Sequence, residues 1–155
     1  GSGSTTAEIK VGRNAVGTSR GFISFDITQI AGASSLDKAV FRIYQQGVSG
    51  NPYTVGGDLK IDHLNYGSTF EASDYSTSSI SSSFATVSSG PSIGWKEIEV
   101  TQNIKGDLTA GRMRSQFRLH FSVEQVGGSG DYALFESADN TLKTGNLPQL
   151  VIQTH

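Results

Sequence analysis

The sequence predicts an all-β protein, an antiparallel β-sandwich of the jelly-roll kind with about eight strands and one short helix. Two observations carry that reading. Apolar residues recur at every second position in eight short segments, the spacing that puts alternate side chains on one face of a strand. The segments are separated by turns rich in Gly, Ser and Asn rather than by helices, which excludes a parallel α/β sheet. A single closed barrel shares this pattern and stays open as the alternative to a sandwich.

The segments follow in order along the chain. Ala7, Ile9 and Val11 alternate with Glu8 and Lys10, and residues 12–19, with two glycines and an Asn, form a turn. Ile23, Phe25 and Ile27 point to one side of the next strand, and Phe22 makes its other side partly apolar. Ala39, Phe41 and Ile43 alternate with Val40, Arg42 and Tyr44, and Leu59, Ile61 and His63 with Lys60, Asp62 and Leu64. Residues 67–92 read as a long Ser-rich surface excursion, pinned by Phe70, Tyr75, Ile80, Phe84 and Val87, with one helical turn near Glu71–Asp74. Strand signals resume where Ile98 and Val100 point inward and Trp95 shares the face of Glu97 and Glu99. Thr101 to Gly111 is the one helix, with Thr101 as its N-cap, Ile104 and Leu108 four apart, and Gly111 as its stop. Phe117, Leu119, Phe121 and Val123 alternate with Arg118, His120 and Ser122. A Gly127–Gly130 connector leads to a strand over 132–137, and Pro148 opens the last strand, 149–154.

The length of 155 residues suits a single domain, 1–155, with one core. The 22 Ser, 13 Thr and 19 Gly make up about a third of the chain, and only 17% of residues are charged. Hydrophobic residues at 35% still suffice for a core, which argues against disorder. A net charge of −2 gives no electrostatic footprint for nucleic acid, and Arg112, Arg114 and Arg118 read as a solvated cluster at a helix end. No stretch approaches the apolar length of a membrane-spanning helix, so no membrane insertion is expected. Without cysteine there is no disulfide, thiolate metal site or cysteine nucleophile. Gly1–Ser4 reads as an appended remnant and His155 as the start of a tag, so neither end carries functional weight.

Three stretches together resemble a known family. They are Arg20–Ile27 followed by Ser35–Tyr44, Gly94–Thr101, and Phe135–Asp139 running to Pro148–Ile152. Their order resembles the DNRLRE-type and disaggregatase-related jelly-roll domains of secreted and cell-surface proteins, some of them classed as carbohydrate-binding modules. The resemblance spans about Gly3 to Thr154. It implies an extracellular or cell-surface location and a polysaccharide or surface glycan as partner. It also implies one further strand, with an Asp-rich segment, ahead of the part that residues 3–11 resemble. That strand has no counterpart here, so an unpaired sheet edge able to self-associate is expected.

The chemistry-bearing residues fit binding better than catalysis. Glu97 and Glu99 share a strand face but lack the apolar pocket that raises an acid's pKa. His63 reads as a partly buried ring and His120 as an outward one, without a metal-ligand spacing. No Gly-x-Ser-x-Gly elbow occurs, so no catalytic residues are assigned and no enzyme activity is expected. Sugar stacking needs exposed aromatic rings with polar neighbours, and Tyr53, Tyr66, Tyr75 and Trp95 are the candidates, the loop tyrosines ahead of Trp95. Calcium, as a structural ion, is the cofactor an oxygen-rich set would suit: Glu136, Asp139 and Asn140. Two functions follow: a non-catalytic carbohydrate-binding module, or a structural subunit of a surface filament, sheath or adhesin assembled by edge-strand pairing or strand donation.

Overall fold

The computed structural model describes residues 8–138 and 145–155. Two antiparallel sheets enclose one apolar core, the expected sandwich. The first sheet contains β1 (Glu8–Arg13), β2 (Thr18–Ser19), β4 (Leu36–Ser49), β7 (Gly94–Glu99), β9 (Asp131–Glu136) and β10 (Gln149–Thr154). The second contains β3 (Gly21–Asp26), β5 (Leu59–Leu64), β6 (Ser81–Ser88) and β8 (Arg114–Phe121), in the order β3-β8-β5-β6.

The long strand β4 is the spine of the first sheet. β7 lies along one flank, with Tyr44 opposite Trp95 and Arg42 opposite Glu97. The other flank is shared end to end: β10 pairs with Leu36–Arg42 and β9 with Gln45–Ser49. β1 then lies outside β9, from Glu8 opposite Glu136 to Arg13 opposite Asp131. No described strand lies outside β10.

Alternation places the core as the sequence predicts. Phe41 and Ile43 of β4, Ile61 of β5, Phe117 and Leu119 of β8 and Phe135 of β9 have no exposed surface. Phe41 and Phe117 stack across the two sheets with ring centroids 5.5 Å apart. Burying such rings is the main favourable term in a fold of this size.

Five local details differ from the sequence expectation. The Ser-rich run enters a strand, β6, because an edge strand buries only one face and Val87, with Phe84 and Ala85 partly covered, supplies enough apolar contact. β2 adds a two-residue strand within the first turn. Thr101 is the first residue of α2 (Thr101–Thr109) rather than its cap. Its hydroxyl instead accepts the Ala39 N–H at 3.0 Å and ties the helix to β4. A second helix, α1 (Pro52–Gly56), opens with proline, whose fixed φ suits a first turn. Val123 lies beyond β8 and is 48% exposed, so the alternation ends at Phe121.

Candidate functional site

The outer faces of the two sheets are built differently. On the second sheet, outward side chains of β8 hold down the segment that connects β5 to β6. Gln116 accepts the Tyr66 N–H at 2.7 Å and donates to the Gly67 carbonyl at 2.6 Å. Arg118 donates to the Thr77 carbonyl at 2.7 Å, and Arg20, just before β3, to the Tyr75 carbonyl at 2.6 Å. Guanidinium groups suit this task because each presents several donors in a fixed plane. The excursion is thereby pinned through its backbone as well as through Phe70, which packs on Phe22 and Tyr66.

A polar cluster sits under it. Asp62 of β5 pairs with Arg118 at 2.7 Å, accepts the Ser83 N–H at 2.7 Å and lies 3.0 Å from His120 Nε2. His120 Nδ1 is 2.9 Å from the Phe121 carbonyl, so both ring nitrogens face acceptors. Hydrogen bonding to Asp62 raises the His120 pKa; burial opposes this and the Phe121 carbonyl reinforces it. Burial alone would raise Asp62, but the bonds from His120, Ser83 and Arg118 outweigh it and hold the carboxyl at about 2. The Ser83 hydroxyl, on a residue with φ 45°, also approaches His120 Nε2, at 3.4 Å. A proton relay needs hydroxyl and carboxylate on opposite ring nitrogens, whereas here they share one. The group is arranged to hold charge, not to move a proton to a nucleophile. The buried His63 is hydrogen-bonded to Asp107 of α2 at 2.8 Å, and Arg112 pairs with the same carboxylate at 2.9 Å.

The predicted aromatic residues do not converge. Tyr53 lies on α1, packs on Phe121 and donates to Gln45 at 2.5 Å. Tyr66 belongs to the Phe22–Phe70 cluster. Tyr75 bonds Thr18 and lies under the Arg20 guanidinium, 4.3 Å from its ring centroid. Burial raises the phenols of Tyr53 and Tyr66. Trp95 is placed differently. It stands on the outer face of the first sheet, partly exposed, edge-to-face with Tyr44 at 5.4 Å. The Arg42 guanidinium lies 4.3 Å from the indole centroid, and Arg42 in turn bonds Glu97 at 3.2 Å and Gln149 at 2.8 Å. The row Glu97–Arg42–Gln149 thus runs beside the row Trp95–Tyr44 across three strands.

Trp95 and Glu97 were legible in the sequence as sharing an outward face, and Arg42 and Tyr44 as sharing one face of their strand, while Gln149 was placed only at the start of the last strand. Their meeting was not legible, because it depends on β4 pairing with strands more than fifty residues away. Of the predicted calcium ligands, Glu136 is buried at the end of β9, opposite Glu8. Asp139 and Asn140 lie outside the described residues. Among the described residues no three His, Asp or Glu side chains form a metal-holding group. No family model matches this sequence, and a search of curated proteins finds no similar one.

Proposed function

We propose that the chain is a non-catalytic carbohydrate-binding module of an extracellular or cell-surface protein, and that it takes polysaccharide on the outer face of its first sheet. The observation that supports this is the Trp95–Tyr44 pair flanked by Arg42, Glu97 and Gln149. An indole offers an apolar face to the C–H side of a pyranose, while guanidinium, carboxylate and amide groups bond its hydroxyls. Arg42 holds the indole from one side and is itself held by two partners, which lowers the entropy lost on binding. The resemblance to DNRLRE-type domains supports the same ligand class. Tyr53, Tyr66 and Tyr75 serve in this reading as internal packing residues.

Affinity-gel electrophoresis against a panel of neutral and acidic polysaccharides tests it. The wild-type chain is expected to be retarded by at least one of them, and Trp95→Ala to migrate freely with an unchanged melting temperature. Retardation that survives Trp95→Ala, or a wild-type chain indifferent to the whole panel, would refute the assignment.

A further inference from the structure

The segment joining β5 to β6 crosses the outer face of the second sheet, and its far end is fastened through one carboxylate. Arg118 donates to the Thr77 carbonyl at 2.7 Å and to that of Tyr75 at 3.3 Å. Asp62 orients this guanidinium, with one oxygen 2.8 Å from Nε and 2.7 Å from Nη2. Its other oxygen accepts the Ser83 N–H at 2.7 Å and faces His120 Nε2 at 3.0 Å. Ser83 needs that support. Among the described residues it is the one non-glycine with a positive φ, 45°, a backbone shape that costs an L-residue energy. Residues 75–83 therefore hang on Asp62, and His120 is the neighbour of Asp62 whose charge changes near neutral pH.

We propose that His120 is a proton-operated latch on this segment: the imidazolium fastens residues 75–83 to the second sheet, and the neutral ring lets them lift. Nδ1 lies 2.9 Å from the Phe121 carbonyl oxygen and Nε2 3.0 Å from the Asp62 carboxylate, so each ring nitrogen faces an acceptor. Only the imidazolium donates from both. A neutral ring keeps one N–H and turns the lone pair of its other nitrogen onto an acceptor, so it must rotate away from one partner. No other charge replaces it at Asp62. Lys60 of β5 stands opposite His120 in register, but its ammonium is turned to the Thr86 hydroxyl at 2.7 Å. Arg20 is held by Glu124 and the Tyr75 carbonyl, and Arg118 already spans Asp62 and Thr77. β6 offers only the Ser83 hydroxyl, at 3.4 Å, and Asp74 of the connecting segment is turned back on the Glu71 N–H. The Asp62 hydrogen bond raises the His120 pKa, burial opposes it, and Glu124 adds to the rise. The latch therefore holds below about 6.5 and opens as pH climbs through the folded value. It is independent of glycan binding, since Trp95 stands on the other sheet.

Amide hydrogen exchange followed by NMR tests it, expressed as protection factors so that the base catalysis of exchange itself is divided out. Between about pH 5 and about pH 9, on either side of the histidine range, the Thr77 and Ser83 amides are expected to lose protection several-fold. They should stay less protected than core amides such as that of Phe117 throughout, because they open locally. In His120→Gln, whose amide does not titrate, their protection should be the same at both ends. Side-chain nitrogen shifts of wild-type His120 should report both ring nitrogens protonated at about pH 6. Protection of Thr77 and Ser83 that ignores pH, an equal loss in His120→Gln, or a neutral His120 ring at the acid end would overturn the proposal. So would protection matching that of Phe117 at every pH, since only unfolding of the whole molecule would then be responding.

Discussion

Asp62 is met by four donor atoms from three residues on two neighbouring strands, and its charge is the most heavily supported on the second sheet. The sign of its effect on stability follows from two opposite shifts. Its carboxyl is depressed to about 2, so its contribution is present above the unfolded value of about 4 and is lost as pH falls below that. His120 is raised, so its contribution is complete below about 6.5 and is lost as pH climbs through its folded pKa. The pair is therefore expected to give a melting temperature that is highest between about pH 4 and 6.5. In His120→Gln the decline on the alkaline side should flatten while the acid limb remains; an unchanged alkaline limb would mean that another group titrates there. The outward direction of His120 was legible from alternation alone. Its partner was not, because Asp62 arrives from a strand 58 residues earlier.

Strands with one apolar and one polar face were readable from sequence because their period is short and local. Elements set by a single contact were not. α1 is one turn long, and its Gly56 lies so close to Phe121 that an added Cβ would sit 2.7 Å from the ring, a constraint no local pattern announces. β6 hides among serines because most of its side chains face outward or stand at an edge. Gly12 shows how one backbone approach can govern an element. A Cβ at that position would sit 1.8 Å from the Asp131 carbonyl oxygen, inside the β1–β9 ladder. Gly12→Ala should therefore destabilise the protein by at least about 3 kcal/mol, more than ordinary overpacking. Urea titration would read this as a lower midpoint with unchanged slope; a midpoint equal to wild type would show that β1 can shift without loss.

At the scale of the whole molecule, both sheets share one core, so stability should be lost in a single transition. Phe117 is its centre, stacked on Phe41 and on His63. Phe117→Ala is expected to cost about 3–5 kcal/mol, measured by urea unfolding with fluorescence and circular dichroism in parallel. Coincident curves would support the shared core, whereas separate curves would assign the sheets independent stability. The outline of this architecture was present in the sequence, since eight of its strands alternate. The pairing of strands was not, because it is decided by non-local contacts.

The arrangement around β4 bears on how the protein is made. During synthesis β4 emerges well before β7, β9 and β10, its three ladder partners. β1 waits longer still, for a neighbour that begins at Asp131. The ribosome therefore releases the middle of the first sheet with both its flanks bare, and closure depends on the final strand leaving the exit tunnel. Such late, long-range pairing makes for slow folding and a long interval in which sticky intermediates persist.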